Sequence, residues 1–267
     1  CCQWVAKSTR GRIGARTQVR SSHLKIVKSN FSSSAETPKA ATLSHIRVLD
    51  LSRVLAGPWA TQYLADMGAE VIKVEMPKVG DDTRAWGPPF LANTKESAYY
   101  LGANRGKKSI TVDISKEEGQ ELLRKLALSC DVVVENFKVG GLKKYKLDYE
   151  SLKKIKPDLV YASISGFGQD GPRAGQAGYD FAIQAMGGLM SITGEKTGPP
   201  LKVGVAVTDI MTGMYTVSGI LTALIHRDKT GIGQHIDSSL FDTQLAYLAN
   251  QGMNYLIGGK SPSKIGN

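Results

Sequence analysis

The chain has 267 residues, with 34 lysines and arginines against 24 acidic residues and a formal net charge of +10. This length allows one or two domains with a substantial core, and a content of 42% hydrophobic and 22% charged residues argues against a disordered, fibrous or membrane-embedded chain. No run approaches about 18 apolar residues, and Cys1, Cys2 and Cys130 fit neither a disulfide framework nor a zinc site, which favours a reducing compartment.

The positive charge is concentrated in the first 35 residues, which contain seven basic residues and no acidic residue. The remaining 232 residues carry 27 basic and 24 acidic residues, a net charge of only +3. An Arg-rich, Ser-rich and acid-free N-terminus is typical of a mitochondrial transit peptide. The sequence therefore predicts a transit peptide or disordered leader over residues 1–40 and localisation in the mitochondrial matrix.

The alternative for this leader is a basic arm that binds RNA or an acidic membrane. Aromatic residues do not alternate with the basic ones there, and no basic face is expected to continue into the rest of the chain. We therefore predict no nucleic-acid partner and no membrane partner.

After the leader, apolar strands alternate with helices. Strands at 46–50 and 70–75 flank a helix over 59–67 and form a βαβ unit. A helix over 116–128 with Ser115 as its N-cap, a strand at 131–134, a short helix over 149–155 and a strand at 159–165 follow. This alternation predicts an α/β domain with a mostly parallel sheet over residues 41–267.

The second half of this domain is expected to carry the loops that bind a ligand. Residues 166–204 are rich in Gly and Pro, which predicts loops at the strand ends, where open α/β sheets bind their ligands. A long apolar helix over 210–226, a strand at 234–238 and a helix over 240–257 complete the predicted elements.

The familiar nucleotide and hydrolase motifs are absent or weak. Residues 166–171 match G-x-G-x-x-G after a strand, but Pro172, Gly175 and Gly178 keep the following chain irregular, which favours a plain glycine-rich loop. The sequence contains no P-loop, no G-x-S-x-G and no H-E-x-x-H, and its four histidines are not spaced as ligands. A catalytic residue is therefore expected to be a carboxylate, and no metal site is predicted.

Two carboxylates stand out by their position. Asp180 lies in the segment GYDFAIQA, and Asp209 lies where an apolar run ends and an apolar helix begins. Asp209 can be interpreted simply as a helix cap that accepts backbone N–H bonds. A carboxylate at a helix start is also expected to stay ionised near the positive end of the dipole, as nucleophilic attack requires, so the two roles are compatible.

Several separated segments resemble the family III CoA-transferases, the CaiB/BaiF group that contains formyl-CoA and carnitine CoA-transferases. They are VLDLSRVLAGP at 48–58, GAEVIKVE at 68–75, NRGKKSI at 104–110, DVVVENF at 131–137 and KTGIGQ at 229–234. Several motifs in the family's order, from about residue 44 to 267, are a specific signal. The resemblance implies a Rossmann-like large domain for CoA binding and catalysis, with a second small domain largely missing, and an interlocked homodimer at full length.

The resemblance also implies roles for individual residues. Asp209 matches the family's nucleophile. The glycine-rich loop at Gly187 and Gly188 is a candidate for the N–H donors that an oxyanion needs. The implied CoA contacts are Leu55, Ala56, Val112, Asp113, Ile114, Ser115, Asn136, Phe137, Lys138 and Lys144. The implied reaction moves CoA from an acyl-CoA such as succinyl-CoA to a dicarboxylic acid such as glutarate through a covalent aspartyl intermediate. CoA thioesters are then substrates, and no tightly bound cofactor is expected.

Basic residues for the substrate anions are less well defined. Met76 stands where formyl-CoA transferase has an arginine, so a phosphate contact there must come from Lys73, Lys78 or Arg84. For the distal carboxylate of a dicarboxylate the sequence offers Arg53, Arg105 and Arg173 without a choice among them.

Two alternatives to an active transferase remain open. The same fold supports α-methylacyl-CoA racemases, which use a histidine immediately before the position of Asp180. Tyr179 occupies that position here, and a phenol with a pKa of about 10 is a poor replacement for imidazole. The second alternative is an inactive truncated variant.

Overall fold

The computed structural model describes residues 41–265 and contains one six-stranded parallel sheet. The strands are β1 (Arg47–Asp50), β2 (Glu70–Glu75), β3 (Lys107–Thr111), β4 (Val132–Glu135), β5 (Val160–Ser165) and β6 (His235–Ser239). They lie in the order β3-β2-β1-β4-β5-β6, and each neighbouring pair is parallel. This is the Rossmann strand order, so the predicted fold class is confirmed. The predicted leader over residues 1–40 lies outside the described residues.

Eight α-helices accompany the sheet in the described part of the chain. They are α1 (Ala56–Asp66), α2 (Ala98–Ala103), α3 (Glu117–Leu128), α4 (Tyr149–Lys153), α5 (Asp180–Met186), α6 (Val207–Thr230), α7 (Leu240–Tyr247) and α8 (Ala249–Gly258). The sequence explains α3 well, because Glu117 and Glu118 in its first turn and Lys125 in its last turn complement the helix dipole.

Each face of the sheet has its own hydrophobic core, because successive strand residues point to opposite faces. Val48 and Val132 belong to the core that also contains Leu64 of α1 and Ile220 of α6. The next residues along the same strands, such as Leu49, belong to the core on the α3 side. Burial on both faces explains why β1, β4 and β5 are nearly continuous apolar runs, and these runs allow the three strands to be predicted from the sequence.

Two elements, β3 and α2, were not predicted. β3 lies at the edge of the sheet, and its sequence KKSIT is mostly polar because little of it is buried. α2 has six residues, too few for a helical apolar pattern to be visible.

Four other predictions are corrected. Residues 166–204 are not all loop, because they contain α5 and a 3₁₀ turn at Leu189–Ile192. The single helix expected over 240–257 is two helices, since Ala249 has φ 46°. The N-cap of α3 is Lys116 instead of Ser115, whose Oγ donates to Asp113 Oδ1 at 2.6 Å. α6 begins at Val207, three residues before the predicted start.

α6 is the core helix that carries Asp209. Its length and composition alone would allow it to cross a membrane. It packs along α1 and against β5 and β6, with one face buried that includes Thr212, Val217 and Leu224. α6 therefore fixes the position of Asp209 relative to the sheet.

Candidate active site

The strand order reverses between β1 and β4, and the two loops that follow these strands meet at the carboxyl edge of the sheet. Asn136 joins them: its Oδ1 accepts from the Arg53 amide at 2.9 Å and its Nδ2 donates to the Arg53 carbonyl at 2.7 Å. The Arg53 guanidinium lies 5.7 Å from the centre of the Phe137 ring. The structure thus brings the predicted contacts Leu55 and Ala56 close to Asn136 and Phe137, in the crevice where such sheets bind ligands.

A close crossing of α1 and α6 brings Asp209 to the same crevice. A Cβ at Gly213 would lie 2.8 Å from the Ala56 carbonyl oxygen and 3.2 Å from Trp59 Cδ1, so the two backbones approach as closely as glycine permits. Asp209 lies one turn before Gly213 on the same face, about 6 Å nearer the carboxyl edge. Asp209 is therefore level with the loop that leads into α1.

Asp180, and not Asp209, caps α6. Asp180 Oδ1 accepts from the amides of Thr208 at 2.8 Å and of Asp209 at 3.2 Å. Its Oδ2 accepts from Gln184 Nε2 at 2.6 Å. The interpretation of Asp209 as a helix cap is therefore wrong, and among the described residues its carboxylate forms no hydrogen bond.

Burial, and after it the negative charge of Asp180, raises the pKa of Asp209 to about 7. The expectation that the helix dipole keeps Asp209 ionised is therefore not met in the free protein. A helix dipole contributes about 0.3–1 kcal/mol, whereas three pKa units correspond to about 4 kcal/mol. Desolvation therefore outweighs the helix dipole, and the Asp209 carboxyl group changes its charge near pH 7.

Tyr99 of α2 lies within electrostatic range of these carboxylates. Its pKa is raised by burial and then by the charges of Asp209, Asp180 and Asp81, and its ring packs edge-on against Trp86 with centroids 5.1 Å apart. Sequence reasoning missed Tyr99 because α2 itself was not predicted. Nothing in the local sequence distinguishes Tyr99 from its neighbour Tyr100.

A hydroxyl network attaches the start of α6 to α7. Thr208 Oγ1 lies 2.7 Å from the Tyr247 hydroxyl and 3.0 Å from Gln244 Oε1. Thr208 and Gln244 are both fully buried. The network fixes the first turn of α6, and with it the backbone of Asp209.

The other predicted CoA contacts lie along the same edge but differ in exposure. Val112 is buried in the core on the α3 side and Ile114 packs against it. Asp113 Oδ1 accepts from the Ser115 amide at 2.9 Å. At about 4.8 Å per strand, this segment after β3 lies about 10 Å from β1. Lys138 and Lys144 are exposed, and Lys144 Nζ lies 4.7 Å from the Tyr145 ring centre.

Of the lysines and arginines expected to contact phosphate, Lys78 alone stays free of the ion pairs that the described residues form. Lys73 is fully buried with Asp81, so it is excluded as a surface anion contact. Arg84 donates two hydrogen bonds of 2.6 and 2.8 Å to the carboxylate of Glu75, which is buried. The Arg84 guanidinium is therefore already engaged by a protein carboxylate. Lys78 lines a shallow pocket at the ends of β2 and β3.

The three arginines proposed for a distal carboxylate are in different places. Arg53 pairs with Asp82 at 3.0 Å beside the crevice. Arg105 pairs with Asp66, the last residue of α1, and so lies at the far end of that helix, about 15 Å from its start. Arg173 lies over the Phe167 ring at 5.8 Å. Arg53 is thus the arginine that the fold brings to the crevice, and Arg105 is excluded.

The described residues offer neither a reactive cysteine nor a cluster of metal ligands. Cys130 is a buried free thiol, and burial raises its pKa to about 11. Within residues 41–265, no group of three or more His, Cys, Asp or Glu side chains is arranged to hold a metal ion.

Comparison with known proteins identifies relatives over most of the chain. The family model described as CoA-transferase family III matches residues 43–267. A succinate–glutarate CoA-transferase of Agrobacterium fabrum is 60% identical over 84% of this chain and 57% of its own length, and human succinyl-CoA:glutarate CoA-transferase is 50% identical over 84% of this chain and 51% of its own. A crystal structure of a CAIB/BAIF family protein from Brucella suis matches with a TM-score of 0.83 and 57% identity, over 86% of this chain and 61% of that one. The chain spans about half the length of the curated relatives it matches.

Proposed function

Because the chain belongs to CoA-transferase family III, we propose that it transfers CoA from an acyl-CoA donor to a carboxylic acid, with Asp209 as the nucleophile. The observation that carries this proposal is the crossing of α1 and α6 at Gly213, which sets Asp209 level with Leu55 and Ala56. The names of relatives at 50 to 60% identity support succinyl-CoA as donor and glutarate as acceptor.

In the first half of the reaction, a carboxylate oxygen of Asp209 attacks the thioester carbonyl carbon of the donor. The carbon–sulfur bond breaks and leaves a mixed anhydride and the CoA thiolate. The thiolate then attacks the aspartyl carbonyl of the anhydride. Its carbon–oxygen bond breaks, which releases succinate and leaves an aspartyl-CoA thioester.

In the second half, the carboxylate of the acceptor attacks this aspartyl thioester and again displaces the thiolate. The thiolate attacks the acceptor carbonyl of the new anhydride, so that acyl-CoA leaves and the Asp209 carboxylate is regenerated. No step uses water, and hydrolysis of either anhydride would waste the donor. Each attack also places negative charge on a carbonyl oxygen, which needs N–H donors.

The first turn of α1 supports the role of oxyanion donor better than Gly187 and Gly188 do. The Gly187 amide donates to the Ile183 carbonyl at 2.8 Å, and the Gly188 amide lies at the end of the same helix. No side chain caps α1, and the first amides of a helix have no partner within it. The amide of Ala56 is therefore our proposed donor.

The test is turnover of succinyl-CoA and glutarate by the purified chain, with hydroxylamine trapping of the aspartyl thioester and mass spectrometry of the Asp209 peptide. We expect trapping in the parent and none in Asp209→Asn. Turnover that survives this substitution would exclude the mechanism. Deuterium exchange at the α-carbon of a 2-methylacyl-CoA without CoA transfer would favour the racemase, and CoA binding without turnover would favour the inactive variant.

We also propose the mitochondrial matrix as the compartment and an interlocked homodimer as the full-length assembly. The compartment is supported by the seven basic residues and the lack of acidic ones in residues 1–35, and the dimer by membership of the family. Import of a reporter fused to residues 1–40 tests the first proposal. The mass of the full-length protein in solution tests the second.

A further inference from the structure

The loop after β1, residues 51–55, is attached to an ion pair that is completely buried. The side chains of Lys73 and Asp81 are 0% exposed, and Lys73 Nζ lies 2.9 Å from Asp81 Oδ2. We infer that Lys73 and Asp81, the buried pair, are positioning residues that hold this loop so that Leu55 and Ala56 face the CoA thioester. This inference rests on the proposed CoA-transferase function.

Each member of the buried pair binds one backbone group of the loop. Lys73 Nζ donates to the Ser52 carbonyl at 2.8 Å. The Asp81 carboxylate accepts from the Val54 amide, with its oxygens 3.3 and 3.4 Å away. The pair therefore fixes a carbonyl on one side of Arg53 and an amide on the other.

The conformation of Val54 requires such support. Its φ is 70°, in the left-handed region, which a β-branched residue seldom adopts unless its surroundings impose it. The residue after it, Leu55, begins the turn into α1. The strained residue thus directs the chain from the loop into the helix whose start carries the predicted CoA contacts.

The buried pair is itself tied to β2. Lys73 belongs to β2, and the Asp81 amide donates at 2.8 Å to Oε2 of Glu75, the last residue of that strand. Asp81 Oδ1 also accepts from the Thr83 amide at 3.0 Å and its hydroxyl at 2.7 Å. Glu75 of β2 therefore fixes the backbone of Asp81, and Thr83 fixes its carboxylate.

Other side chains bind further backbone groups of the loop. The Ser52 amide donates to Asp50 Oδ1 at 3.0 Å, and Asn136 binds both backbone groups of Arg53. Replacing a buried ion pair by apolar side chains of similar size is often neutral for stability. The two charged side chains fix the orientation of the loop, because each forms a hydrogen bond with one of its backbone groups.

The test is a double variant, Lys73→Met with Asp81→Leu, which removes both charges and roughly keeps the volume. We expect a cooperative thermal unfolding transition as in the parent, about tenfold faster hydrogen exchange of the Val54 amide and about tenfold weaker binding of free CoA by calorimetry. The matched control is Arg227→Met with Asp131→Asn, which removes a pair of 2.8 Å at the amino edge of the sheet. It should leave exchange at Val54 and CoA affinity unchanged.

A rescue separates positioning from general damage. Val54→Gly in the double variant removes the strain of a positive φ, so it should restore part of the CoA affinity. If the double variant fails to fold, Lys73→Met with Asp81→Val, which removes both charges with a side chain closer in volume to that of Asp81, takes its place with the same two measurements. Parent-like exchange at Val54 and parent-like CoA affinity in the folded variant would overturn the inference. A parent chain that binds no CoA would instead refute the proposed function, while exchange at Val54 would still decide whether the pair holds the loop.

Discussion

Asp180 holds the backbone of Asp209 and raises the pKa of its side chain at the same time. Its Oδ1 accepts from the Asp209 amide at 3.2 Å, and its charge is the second cause, after burial, of the Asp209 pKa of about 7. One neighbour thus holds the backbone of the proposed nucleophile and adds to the effect of burial on its ionisation.

The first prediction concerns this coupling. Asp180→Asn keeps an oxygen that can cap α6 but removes the charge, so the pKa of Asp209 should fall. The pH dependence of hydroxylamine trapping in a single turnover, between about pH 5 and pH 9, should then shift to lower pH. Tyr179→Phe is the control, since this neighbouring side chain is exposed. An unchanged pH profile in Asp180→Asn would show that burial alone sets the Asp209 pKa.

The second prediction is that ionised Asp209 destabilises the fold. Its pKa is about 7 in the folded protein and about 3.9 in an unfolded chain. The folded state therefore binds the proton more tightly, and this contribution to stability is complete below about pH 4 and is lost as the pH rises to about 7. Asp209→Asn should be more stable than the parent at pH 8, by up to about 4 kcal/mol, with no gain near pH 4. Urea unfolding at both pH values measures this, and an equal gain at both would contradict it.

The third prediction concerns the helix crossing. Gly213→Ala places a Cβ 2.8 Å from a backbone oxygen of α1, so α1 and α6 must separate, with a loss of about 1–3 kcal/mol in unfolding free energy. Since the crossing aligns Asp209 with Ala56, kcat should fall more than about tenfold. Gly252→Ala in α8 meets only ordinary contact at 3.8 Å and should be neutral or stabilising. Parent-like kcat in a folded Gly213→Ala variant would mean that the crossing does not align the nucleophile.

The fourth prediction follows from a basic segment after β4. Residues 138–156 contain seven lysines and two acidic residues, a net charge of +5, whereas the rest of the chain from residue 36 onward carries −2. The domain therefore contains a basic segment, against the expectation that no basic face continues beyond the leader, and this segment includes the predicted contacts Lys138 and Lys144. It should attract the phosphates of CoA.

Its test is the salt dependence of the CoA association rate by stopped flow. Lys143→Gln with Lys146→Gln should lower this rate about threefold at low ionic strength, and the difference should vanish in about 0.5 M salt. Lys125→Gln with Lys229→Gln, which removes the same charge near the amino edge, should have little effect. Equal losses in both variants would refute a local attraction.

The sequence predicts the buried elements of this fold better than the exposed ones. β1, β4 and β5 are apolar because both their faces are covered, whereas the edge strand β3 has no such pattern. Residue types and family motifs locate Asp209 and the crevice at the start of α1. The sequence does not predict the buried pair Lys73 and Asp81 or the cap by Asp180. Asp180, for example, binds amides 28 and 29 residues away along the chain, and only the folded structure shows that they are close.

The contact between Gly213 and Ala56 also joins two separable parts of the chain. All the predicted CoA contacts lie between residues 55 and 144, whereas Asp209 and its supporting side chains lie between residues 180 and 247. Under the proposed function, the CoA contacts and the nucleophile therefore belong to two consecutive stretches of sequence, and the proposed oxyanion donor Ala56 lies in the first. Chimaeras of two family members with a crossover in the glycine-rich segment around residues 166–178 would take their CoA contacts from one parent and the surroundings of Asp209 from the other. They require that the paired faces of α1 and α6 remain complementary.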